Sequence, residues 1–166
     1  MNPLWERETD THIYFWNGIF CQWHSSKMVD DEGVSYSCCE QYMMSKKAKL
    51  FGDHVVYSII MKEQMPGNQK ALGRLVSDYD DDVWNKHKFD IVVDGNVLKF
   101  SQNEELKKLL LSTENKIIVE GSHEDPIWGV GLSYNDDRIL DESNWQGENL
   151  LGKAIMIVRN TIKIGN

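Results

Sequence analysis

The chain has 166 residues, 41% hydrophobic and 27% charged, with a net charge of −8 and a pI near 5.1. That length predicts one domain, residues 1–166, with a sizeable core, and the acidic balance excludes broad electrostatic adhesion to nucleic acid, which needs basic surface to displace counterions. No stretch approaches the roughly 18 apolar residues of a membrane span, and the residues from Met1 to Glu8 lack the charged-then-apolar pattern of a signal peptide, so a cytoplasmic protein without a membrane partner is expected.

In chain order, the first strong pattern runs from Thr11 to Trp23, where two β-branched and aromatic runs flank Asn17-Gly18. That dipeptide between such runs predicts a β-hairpin. Lys27 to Gly33 is turn-like, and Val34 to Ser37 leads into a helix that carries Glu40 and Lys47 and ends at Gly52-Asp53. A second helix is expected over His54–Met65, stopped by Pro66-Gly67, and a short third one over Gln69–Val76. The acidic run from Asp78 to Asp82 supplies a helix start with Trp84 in its first turn. From Trp84 to Phe100 the pattern reads either as strand and turn at Ile91–Asn96 or as a helix weakened by Gly95. Asn103–Leu111 is helical, and Lys116–Glu120 is a short buried strand. A glycine-containing loop follows from Gly121 to Gly131, then a polar surface stretch over Asp136–Gly147 and a closing amphipathic helix over Asn149–Ile162. Helices around a small sheet make the expected class α+β.

Glu40 and Lys47 stand seven residues apart, close to two helical turns, so both leave one face beside apolar Met43, Met44, Leu50 and Phe51. On spacing alone they form a solvated pair about 10 Å apart along the axis or the two ends of a polar cleft. In the cleft, a desolvated lysine can attack a sugar carbonyl and a carboxylate can transfer protons. Lys46 is expected to face solvent. Asp125 and Trp128 read as a turn aspartate and a core indole, or as a hydrogen-bond acceptor and a stacking ring, with Gly129 and Gly131 letting backbone approach a ligand. Trp84 reads as a core indole or a second stacking wall, and Arg74 as an exposed arginine or a phosphate contact. Cys21, Cys38 and Cys39 are odd in number and two are adjacent, which implies no disulfide framework. With His24 they match no standard zinc-finger spacing, so neither metal nor cofactor is expected.

Taken together, the residues resemble one family. Glu40-x-Tyr42 with Lys47-Ala48, Leu72-Gly73-Arg74, Trp84, Lys99-Phe100-x-Gln102-Asn103, Thr113, Val119-Glu120, Asp125-x-x-Trp128-Gly129-x-Gly131, Asn149-x-Leu151-Gly152 and Arg159 follow the order and spacing of NADAR (YbiA-like) domains from about Tyr14 to Arg159. The resemblance implies an N-glycosidase acting either on phosphorylated riboflavin-pathway intermediates, releasing ribose 5-phosphate, or on ADP-ribosylated guanine in nucleic acid. It places the family's catalytic carboxylate, aromatic and aspartate positions on Glu40, Trp84 and Asp125. Lys47 takes the position of the sugar-capturing lysine, and Tyr42, Arg74, Trp128 and Gly129 are assigned to substrate. Gln41 stands where the family often has His, and Val92–Asn96 departs from the usual helical composition. The partner expected is a small nucleotide-like substrate or the modified guanine; a non-catalytic reader of ADP-ribose is the rival from another class.

Overall fold

A computed structural model describes residues 4–165. Residues 1–3, which open the segment read as lacking a targeting signal, lie outside the described residues. In chain order the elements are β1 (Arg7–Glu8), β2 (His12–Phe15), β3 (Met28–Val29), β4 (Ser35–Tyr36), α1 (Cys39–Leu50), α2 (His54–Lys62), α3 (Pro66–Gly73), α4 (Asp81–Gln102), α5 (Glu104–Ser112), β5 (Ile117–Glu120) and α6 (Leu150–Ile164). The class is α+β, as expected. No described helix is long and apolar enough to cross a membrane. The chain gathers into two compact units, one formed by residues 25–103 and the other by the residues before and after that stretch.

In the unit of residues 25–103, α1 packs against α2, α3 and α4. Every residue from Cys39 to Ser45 is buried, so α1 is enclosed around its whole circumference for nearly two turns. The second helix stops at Lys62, earlier than expected, because Pro66 does not end a helix but starts one. Pro66 occupies the first turn of α3, where its missing N–H costs nothing. Asp53 and Asp80 cap α2 and α4 by accepting the N–H of Val56 and Val83 at 3.0 Å each. The ambiguous stretch after Trp84 is continuous helix, and Gly95 has a packing reason to be there. A Cβ at Gly95 would come within 2.7 Å of the Tyr42 ring, so α1 and α4 can approach only over a glycine.

The other unit is built on a three-stranded sheet ordered β1-β2-β5. β2 pairs antiparallel with β1 and parallel with β5, from His12↔Ile117 to Phe15↔Glu120. The hairpin predicted at Asn17-Gly18 does not form. Gly18 does adopt the positive φ of 77° that the dipeptide favours, but it opens a short 3₁₀ turn over Gly18–Phe20 instead. The strand's partners are β1 and a segment a hundred residues downstream, a pairing that local turn chemistry does not encode. The Glu6 carboxylate fixes the exit from β2 by accepting the N–H groups of Trp16 at 2.8 Å and Asn17 at 3.0 Å. The stretch expected to be surface contains two 3₁₀ turns and buries Ile139 among Tyr14, Val119, Val130 and Leu132, with Trp145 packed alongside.

The helix α6 lies against β5. A Cβ at Gly152 would fall on the carbonyl oxygen of Ile118, a backbone atom that cannot move aside. We predict that Gly152→Ala costs about 1–3 kcal/mol or more through overpacking. A urea midpoint unchanged from that of the parent protein would refute this close packing.

Candidate functional site

Glu40 sits in the first turn of α1 and is only 4% exposed. The backbone around it is clamped by its neighbour Gln41. The Gln41 side-chain oxygen accepts the Ser37 N–H at 2.8 Å and the Ser37 hydroxyl at 3.2 Å. Its amide nitrogen donates to the carbonyls of Ile60 at 3.0 Å and Glu63 at 3.1 Å. Gln69 reinforces the same point by donating to the Glu63 carbonyl at 2.8 Å and accepting from the Cys38 thiol at 3.2 Å. Gln41 therefore has a structural task, tying the start of α1 to the end of α2.

Lys47 emerges in the last part of α1, where burial relaxes. Its Nζ lies 4.6 Å from the centre of the Tyr79 ring and 5.6 Å from that of Trp84, so the ammonium is held between two aromatic groups. Trp84 is buried and lies in the first turn of α4, where the sequence placed it. Tyr79 was not singled out by sequence, because its acidic surroundings read as a helix start. Its hydroxyl donates to Asp81 Oδ1 at 2.7 Å and its ring packs on Phe51 at 5.4 Å. Burial, and then the bond to Asp81, push the Tyr79 phenol up to about 12, so it stays protonated as a donor. Burial and the nearby Arg74 guanidinium hold Lys47 below the ordinary lysine range, against the opposing pull of Glu40 and Asp81. Arg74 itself is exposed just after α3.

Tyr42 and Lys46 occupy a different face of α1 from Lys47. Lys46 is not simply solvent-facing: its Nζ lies 3.8 Å from Asp30 and 5.2 Å from the centre of the Tyr42 ring. Tyr42 packs edge-on against Tyr36 and borders a cavity of about 380 Å³ that Asp30, Asp31 and Asp94 also line. Burial and the charges of Asp94 and Asp30 push the Tyr42 phenol up to about 12.

In the unit that contains the sheet, Asp125 Oδ1 accepts the N–H groups of Ile127 at 3.0 Å and Trp128 at 2.8 Å, which fixes the turn before the two glycines. The Trp128 carbonyl in turn accepts the Leu151 N–H at 3.1 Å, and Gly129 accepts the Asn149 N–H at 3.0 Å, so this loop caps the N-terminus of α6. A side chain at Gly129 would meet the Glu120 carboxylate and two backbone carbonyls. Asn149 adopts a left-handed φ of 52°, and its side chain bridges the Glu120 N–H and the Ile118 carbonyl. Arg159 is also architectural, since it donates to Thr113 and to the Lys116 carbonyl at 2.8 Å each.

The fold is α+β, and one of its helices carries both a buried carboxylate and an aromatic-flanked amine. The chain belongs to the NADAR domain family, whose pattern it matches over residues 8–163. It is 43% identical over 164 residues to N-glycosidase R617 of Acanthamoeba polyphaga mimivirus, covering 92% of this chain and 96% of that protein. It is 27% identical over 156 residues to N-glycosidase Npun_R5314 of Nostoc punctiforme, covering 91% and 92% of the two chains. Protein irg-1 of Caenorhabditis elegans is 38% identical over 131 residues, 78% of this chain and 62% of that protein. The solved NMR structure of Escherichia coli YbiA superposes with a TM-score of 0.77 at 26% identity, over 96% of this chain and 89% of that one.

The charges around Lys47 set the sign of a titration experiment. We predict that Arg74→Gln moves the Lys47 pKa back up and that Asp81→Asn moves it further down. NMR of the ¹³C-methylated amine reads both; shifts of the opposite sign, or none, would show that these charges do not reach Lys47.

Proposed function

We propose that the protein is an N-glycosidase that cleaves the bond between a ribose phosphate or ADP-ribose and the amino nitrogen of a pyrimidine or guanine. The observation that carries this reading is the pairing on α1 of a buried carboxylate, Glu40, with an amine, Lys47, that is held between two rings and biased towards its neutral form. Glu40 protonates the sugar ring oxygen as the ring opens, and the base nitrogen becomes an imine to C1. Neutral Lys47 attacks C1, the base leaves as a free amine, and the sugar remains on Lys47 as an imine. Water then adds to that imine, releasing the open sugar and restoring the amine, so one water is consumed per bond cleaved. Trp84 covers the leaving base. Asp125, whose Oδ1 already serves the loop, offers its second oxygen to a sugar hydroxyl, and Trp128 supplies a stacking face. Substrates of this kind fit a cytoplasmic location.

A second reading is favoured by one observation. Arg74 lies close enough to Lys47 to depress its pKa, and two neighbouring cations are what a phosphate bridges. A reader of ADP-ribose would use the same groups and release nothing.

Incubation with ADP-ribosylated guanine in DNA, and separately with a ribosylamino-uracil phosphate, separates the two readings. Release of free sugar is expected in at least one case, and borohydride added during turnover should fix one sugar on Lys47. Glu40→Gln should keep the fold and lose about 10²–10⁴-fold in rate. Binding without release would favour the reader, and full activity in Lys47→Ala would remove the imine.

A further inference from the structure

We infer that a cavity at the C-terminal ends of β2 and β5 is a binding site for a planar heterocycle of the nucleobase kind. The cavity has a volume of about 240 Å³ and is lined by Trp16, directly after β2, by Gly121 and Ser122, directly after β5, and by Tyr134. The carboxyl ends of neighbouring parallel strands are where α/β sheets present ligands, because the chain leaves the sheet there in loops free to carry side chains. β2 and β5 are parallel up to Phe15↔Glu120, so Trp16 and Gly121 are the first residues beyond the ladder.

Three features give this cavity a chemistry. First, the Trp16 backbone is fixed by Glu6 while the residue is 51% exposed, so the indole extends to solvent from an anchored backbone. Second, Ser122 is only 8% exposed and its hydroxyl has no hydrogen-bond partner among the described residues, although it lines the cavity. The hydroxyl is not sealed inside the protein but opens into the cavity, where the edge of a base can bond to it. Third, no lysine or arginine lines the cavity, whose lining residues include His123 and Glu124, so there is no fixed cation to hold a phosphate. The volume falls below the ~300–1,000 Å³ of sites for larger ligands, so it suits one ring system rather than a whole nucleotide.

The geometry of the walls is built in. Gly121 donates to the Phe15 carbonyl at 2.7 Å and accepts the Tyr134 N–H at 3.2 Å. The sheet edge thus carries Trp16 on one side and Tyr134 on the other.

The test is a ¹H–¹⁵N NMR titration of the whole protein with guanosine 5′-monophosphate and, in parallel, with ribose 5-phosphate, which has no base. The expected result is movement of the Trp16 indole N–H and the Ser122 amide with the nucleotide alone. Trp16→Ala should weaken nucleotide binding roughly tenfold or more, as loss of a base–aromatic stack does, while Trp16→Phe retains most of it. Equal shifts with both ligands, or parent-like nucleotide affinity in Trp16→Ala, would overturn the site. Binding needs no turnover, so a protein that hydrolysed no N-glycoside would still decide the matter, and failure of the site would leave sugar release by the protein unaffected.

Discussion

The burial of the first two turns of α1 is the constraint from which the chemistry of its unit follows. A helix enclosed on all sides ordinarily carries only apolar residues, yet Glu40, Gln41 and Ser45 lie among the buried positions. Each polar group there must be satisfied within the fold. Gln41 makes bonds in two directions, and Ser45 returns its hydroxyl to the Tyr42 carbonyl at 2.7 Å. Because α1 cannot rotate or slide without breaking these bonds, the position of Glu40 is set by the packing. Lys47 lies where the enclosure ends, so a deep carboxylate and a rim amine come from one rigid element.

A comparable device shapes the loop after β5. Asn149, in a left-handed conformation, replaces a missing strand by offering one side-chain amide to the backbone of both Ile118 and Glu120. The carbonyls of Ile127 and Trp128 then satisfy the exposed N–H groups at the start of α6. Asp125 closes the same loop from inside. The loop is therefore pinned at both ends and at its turn, which is what presenting Trp128 in a fixed orientation requires.

Much of this was legible in sequence where the signal is local. The helix carrying Glu40 and Lys47, the strand ending at Glu120 and the amphipathic last helix are all readable from local sequence, and the acidic run from Asp78 to Asp82 announced the start of α4. The misreadings have one cause, a local signal answered by a distant partner. Asn17-Gly18 did produce a turn, but β2 pairs with β5, whose residues follow a hundred positions later. Gly95 looked like a helix breaker until Tyr42 was seen against it. Tyr79 left no periodic trace, and its role depends on where α1 places Lys47. The ordered motif residues also mix two kinds of necessity. Gly152, Asn149 and Arg159 serve architecture, and Gln102 pairs through its amide with both backbone groups of Val29.

The two uses of Lys47 demand opposite protonation states, and that sharpens the division of labour. An imine needs the neutral amine, whereas a phosphate contact needs the ammonium, and a bound phosphate would itself raise the pKa of any lysine it touched. A guanidinium is the side chain best suited to holding a phosphate, because its planar fork of donors matches the phosphate oxygens. The positive charge of Arg74 at the same time disfavours protonation of Lys47. In the proposed reaction the phosphate would therefore fall to the guanidinium and the sugar carbon to the amine. Were a phosphate to neutralise Arg74 fully, the depression of Lys47 would rest on burial, with Glu40 and Asp81 still pulling the other way.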